Sequence, residues 1–164
     1  MQSFTKFLVP PLTVLTATIS LVGTGWAHDS VVNVSLWDKG GDAGMATGLG
    51  MGMGGDMSKA TMGIKLSTNV VEAGKVTFEV ANSSKDNIHE MVIAPITKDQ
   101  APLPYIASES EVDEDNIGDL GEVSELDPGK DGSLTLNLKP GKYVLFCNVA
   151  GHYMNGMWAL LTVN

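Results

Sequence analysis

The sequence predicts an all-β domain, a Greek-key β-sandwich of seven to eight strands. Three observations carry that expectation. Apolar and polar residues alternate with a period of two in segment after segment, glycine- and proline-containing turns separate these segments, and no stretch beyond residue 27 shows a sustained helical stripe. A length of 164 residues allows one domain around one core.

Residues 1–27, MQSFTKFLVPPLTVLTATISLVGTGWA, have the layout of a secretory signal: a lone cation at Lys6, an apolar run, and small residues at Gly25 and Ala27. Cleavage after Ala27 leaves residues 28–164 as the mature domain. A retained anchor is the rival reading. Residues 7–22 are short for about 30 Å of hydrocarbon and contain Pro10 and Pro11, so no stable membrane insertion is expected after cleavage. A lipid-modified signal needs a cysteine at its cleavage site, and the single cysteine is Cys147. The expected destination is the periplasm, with the thylakoid lumen or the extracellular space as alternatives.

The strands follow in order. Val32, Val34 and Leu36 alternate with Asn33 and Ser35; Met62, Ile64 and Leu66 with Gly63 and Lys65; Val76, Phe78 and Val80 with Thr77 and Glu79. Further strands are expected in IHEMVIAP, in SLTLNL, in KYVLFC and in MWALLTV. Turn chemistry separates them at Glu72-Ala73-Gly74, Asp127-Pro128-Gly129 and Lys139-Pro140-Gly141. Two stretches break the pattern. Residues 38–60 are so rich in glycine and methionine that ordering them costs much backbone entropy, and a flexible insertion is expected there. Residues 99–127 concentrate acidic side chains and read as a long connection with at most a helical turn.

Charge excludes one class of partner. Ten lysines, with no arginine, face nineteen acidic residues for a net charge of -9, which argues against a nucleic-acid surface. A basic or polar protein partner fits better, and the chain is expected to be a monomer.

Export makes the lone cysteine informative, because exported chains usually pair their thiols. Cys147 ends a strand, His152 follows in a short loop, and Met157 precedes the next strand, an arrangement in which three side chains can converge. Thiolate, imidazole and thioether together select copper, particularly a site that holds both Cu(I) and Cu(II). Of the other two histidines, His89 opens the strand HEMVIAP and completes the set. The bland alternative is a packed core in which Cys147 and Met157 fill space.

With "NSSKDNIHEMVIAP" and "PGKYVLFCNVAGHYMNGMW" the chain resembles the cupredoxins, the blue copper proteins. Its C-x4-H-x4-M spacing is similar to that of rusticyanin, auracyanin and the sulfocyanin-like group. The resemblance implies one type 1 copper ion held by His89, Cys147 and His152 in a trigonal set, with Met157 as the weak axial ligand, and a role in electron transfer with a cytochrome or an oxidase. Glu90 stands where many cupredoxins have Asn, so the backbone N–H to the thiolate can persist while a carboxylate enters the site. Met154, a second axial candidate, is expected to join Val149 and Ala150 in an apolar rim near His152.

A carrier or copper-homeostasis protein is the alternative function, in which Met45, Met51, Met53 and Met57 gather Cu(I) and His28 chelates copper at the new N-terminus. An enzyme is not expected, and no catalytic residues or organic cofactor site are assigned. Cys147 is flanked by Phe146 and Asn148 rather than by a histidine, and three histidines cannot build a second catalytic copper site.

Overall fold

The computed structural model describes residues 29–40, 47–98 and 101–164. The expected signal at residues 1–27, His28, Met45 and part of the glycine-rich insertion lie outside these residues. The described residues form eleven strands: β1 (Ser30–Asp38), β2 (Met62–Leu66), β3 (Val70–Val71), β4 (Gly74–Asn82), β5 (His89–Ile96), β6 (Tyr105–Ile106), β7 (Glu111–Val112), β8 (Gly121–Leu126), β9 (Asp131–Leu138), β10 (Gly141–Phe146) and β11 (Trp158–Val163). One short helix, α1 (Glu114–Ile117), is the helical turn expected in the acidic connection. No helix among the described residues is long and apolar enough to cross a membrane.

Nine strands make two sheets, ordered β2-β1-β4-β9 and β3-β11-β10-β5-β8, and β6 pairs with β7 in a separate ribbon. The all-β sandwich stands, with more strands than the seven to eight expected. The extra ones are short or hidden. In β3, β6 and β7 two residues are too few to show a period, and in β8 only Val123 is fully inward among acidic neighbours.

Alternation decides which side chains form the core between the sheets. Val32, Val34 and Leu36 from β1 and Val76, Phe78 and Val80 from β4 meet Met91 and Ile93 from β5, Leu145 from β10 and Leu161 from β11, all of them buried. The parity that turns Met91 and Ile93 inward also turns His89 inward, and the parity of Tyr143 and Leu145 carries Cys147 to the same side. The site therefore grows out of one end of the core.

A second cluster covers the outer face of the five-stranded sheet. Val92, Ala94, Val144 and Phe146 are buried there under Met51, Val112 and Tyr153. Residues 47–60 of the glycine-rich segment take part: Leu49 and Met51 are buried, and the carbonyl of Leu49 accepts the Trp158 indole N–H at 2.8 Å. Burial of these side chains offsets the backbone entropy that the composition would otherwise leave uncompensated. Met154 is half-buried and packs against the same cluster.

Candidate metal centre

Two structural units bring the candidate residues together. The first is the start of β5, where His89 is fully buried. The second is the loop between β10 and β11, which pair antiparallel with Phe146 opposite Trp158. That loop closes on itself: the Cys147 N–H donates to the Met157 carbonyl at 3.1 Å, and the Met157 N–H to the His152 carbonyl at 3.1 Å. Within it a turn of 3-10 helix, Tyr153–Asn155, follows His152, and Gly156 at φ 99° ends the turn in a conformation that favours glycine. An alanine at Gly156 would also press on Ala60, its Cβ lying 3.0 Å from the Ala60 Cβ.

His89, Cys147 and His152 meet with their donor atoms all within 4.8 Å of one another. The Nδ1 atoms of the two histidines are 3.2 Å apart, and Cys147 Sγ is 3.3 Å from His152 Nδ1. Donors bonded to one first-row metal at about 2.0–2.3 Å sit about 3–4 Å from each other, so these separations suit a shared ion. Met157, the fourth residue expected at the site, is fully buried at the end of the same loop. His152 is the residue of this set that reaches the surface, at 8% exposure.

Protonation favours ligation. Burial pushes His152 down to about 4, the neighbouring His89 adds to this, and Asp38 acts against it. His89 is also shifted down, by burial, against the pull of Asp38. Both rings are therefore neutral at pH 7 and carry a lone pair for a metal. Burial pushes the Cys147 thiol up to about 12, despite the backbone N–H groups of Glu90 and Val149, and the Glu90 carboxyl adds to the rise. A thiol in that state becomes a thiolate only when a cation takes the place of its proton, which is the behaviour of a metal ligand in a dry pocket.

The Glu90 substitution leaves the backbone contact in place. Its N–H points at Cys147 Sγ at 3.4 Å, and its side chain accepts the Asn148 N–H at 2.8 Å. Burial first, and then Glu122, Glu114 and Glu125, raise the Glu90 carboxyl to about 7 against the Asn148 hydrogen bond.

Sequence reasoning missed Asp38. It was placed in the glycine-rich segment, yet it ends β1 and sits 2.8 Å from His89 Nε2, with the His89 and Asp38 side chains 0% and 3% exposed. Burial raises this carboxyl, but hydrogen bonds from Ser84, His89, Asn87 and Gly40 outweigh burial and hold it at about 2. The only local signal is a polar residue at the end of an alternating strand, and nothing in the sequence says what it faces.

A model of the sulfocyanin domain matches residues 122–164, the part of the chain that contains Cys147, His152 and Met157. Rusticyanin from Thiobacillus ferrooxidans superimposes with a TM-score of 0.54 at 16% identity, over 83% of this chain and 77% of that one. Dithionite-reduced auracyanin from the photosynthetic bacterium Roseiflexus castenholzii gives a TM-score of 0.48 at 19% identity, over 85% of this chain and 99% of that one. No curated protein sequence matches the chain. The chain shares the fold of rusticyanin, and His89, Cys147 and His152 form a donor set that suits one type 1 copper ion.

Proposed function

We propose that the protein is an exported one-electron carrier in which His89, Cys147 and His152, with Met157 from the same loop, would hold one copper ion. The observation that carries this reading is the convergence of two neutral imidazoles and one thiol, all buried, on a single point. Bound copper supplies the cycling between Cu(I) and Cu(II).

The chain's own residues do the rest. β5 and the β10–β11 loop are anchored in a sheet with core on both faces, which keeps the donors in place between oxidation states. Small rearrangement means a small barrier to transfer. His152, at the surface end of the site, is the port for the electron. No catalytic group is assigned, and the fully buried Met51 is withdrawn from the thioethers that a copper-carrier role would use.

The N-terminal secretory pattern supports a periplasmic location. A cytochrome or oxidase with a basic face is the partner proposed. The acidic connection abuts the site loop, where the Gly151 N–H donates to the Ser110 carbonyl at 2.7 Å and Asn148 Nδ2 to Glu114 Oε1 at 2.7 Å. Transfer rates that fall across a salt series are expected, and salt-independent rates would remove electrostatic steering.

The test of the site is direct. The mature chain loaded with Cu(II) should show an intense visible charge-transfer band and the spin resonance of a type 1 centre, and Cys147→Ser should lose both. A colourless parent would overturn the proposal.

A further inference from the structure

We infer that Asp38 is a positioning residue for the copper centre: its carboxylate fixes the His89 ring with Nδ1 toward the metal and keeps a buried negative charge behind that ring. This rests on the copper reading above. Asp38 and His89 belong to different sheets, at the end of β1 and the start of β5, so their contact ties the two layers together at the site.

An ionised carboxylate only accepts hydrogen bonds, so the ring proton of neutral His89 sits on Nε2 and donates to Asp38 Oδ2. Nδ1 is then left with its lone pair, and Nδ1 is the atom that faces His152. Asp38 is itself held. Gly40 N–H donates to Oδ1 at 2.8 Å and Asn87 Nδ2 to Oδ2 at 3.2 Å. The Asn87 backbone is tied in turn to the Ser84 hydroxyl at 2.9 Å, and the Ser84 N–H to Asn82 Oδ1 at 3.0 Å. The turn at residues 82–87 thus forms a cradle for one carboxylate and, through it, for one ring.

The charge has a second consequence. The Cys147 thiolate and the Asp38 carboxylate together carry two negative charges, which balance Cu(II) and exceed Cu(I) by one. In a site this buried the imbalance is poorly screened, so Asp38 stabilises the oxidised ion over the reduced one and lowers the potential.

Asp38→Asn keeps an oxygen acceptor and removes the charge; Asp38→Ala removes both. Asp86→Asn, at an exposed carboxylate in the same cradle, is the control for charge alone. Asp38→Asn should weaken Cu(II) binding by about 10–100-fold and Cu(I) binding by less. Each tenfold lost from that ratio raises the one-electron potential by about 59 mV. Asp86→Asn should leave the ratio where it is. In copper-free protein, nitrogen resonances of the imidazoles should show parent His89 as the Nε2–H tautomer and Asp38→Ala as a mixture.

A parent His89 protonated on Nδ1, or an Asp38→Asn protein with the parental potential, would overturn the assignment. The tautomer is read on parent protein, so a variant that fails to fold does not shelter the idea. Failure of Asp38 in a protein that turns blue is distinct from failure to take up copper at all, which overturns both readings.

Discussion

The two sheets of the sandwich differ in how many of their faces are buried. In the four-stranded sheet, β9 alternates along its length, with Leu134 and Leu136 turned inward and half-buried while Ser133 and Thr135 stay exposed. In the five-stranded sheet, β10 ends in a continuous buried run from Tyr143 to Phe146, because the glycine-rich segment and the acidic connection cover its outer face. The four-stranded sheet has a wet side, whereas β5 and β10 of the other sheet are buried on both faces over Met91–Ala94 and Tyr143–Phe146. The site grows from the second kind, and that is the physical reason its donors can stay fixed: close-packed surroundings on both faces leave β5 and β10 little room to move.

The largest effect expected from breaking this asymmetry is at Phe146, fully buried on the outer face and packed against Tyr153 with ring centroids 6.2 Å apart. Phe146→Ala should cost about 3–5 kcal/mol in denaturant unfolding of the copper-free protein. Leu134→Ala in β9, where the side chain is only half-buried, should cost clearly less. Equal costs would mean that the outer cluster is a loose cover and the contrast between the sheets is empty.

A smaller effect should appear where β9 of one sheet approaches β8 of the other. A Cβ built on Gly132 of β9 would lie 2.5 Å from Val123 Cγ1 of β8, so Gly132→Ala must displace one strand or the other. Overpacking of this sort costs about 1–3 kcal/mol. The double variant Gly132→Ala/Val123→Ala should recover part of the loss, since the clash is pairwise. A double variant no more stable than the sum of the two single losses would show that the approach of β8 to β9 is not what the glycine serves.

The same contrast separates what could be read in the sequence from what could not. The alternation of Val32, Val34 and Leu36 and of Val76, Phe78 and Val80 is visible because a wet face requires polar residues every second position. The convergence of Cys147 and His152 was legible because they share one strand-loop unit, and that of His89 because few histidines compete with it. Asp38 was not, since it meets His89 across 51 residues and its role depends on how two sheets are stacked. Met51 was hidden for a related reason. Its neighbours are glycines, and the partners that bury it, Phe146 and Tyr153 among them, come from distant parts of the chain. Local pattern reports which face a residue takes, and only packing reports what lies opposite.

The smallest effect belongs to the wet face itself. Thr77 and Thr135 stand opposite each other in β4 and β9, with their hydroxyl oxygens 2.9 Å apart, on the exposed side of the four-stranded sheet. Thr135→Val keeps the branched shape and removes this hydrogen bond, but water can satisfy the Thr77 hydroxyl, so the cost should be about 0.2–1 kcal/mol. The copper site should not register it, because an open face transmits no packing strain to β5 or β10. A parental visible spectrum and potential, together with a shift in unfolding at or below this range, is the expected result. A spectral change in Thr135→Val would show that the solvent-exposed sheet supports the site as much as the two-sided one does, and the asymmetry would lose its link to the metal.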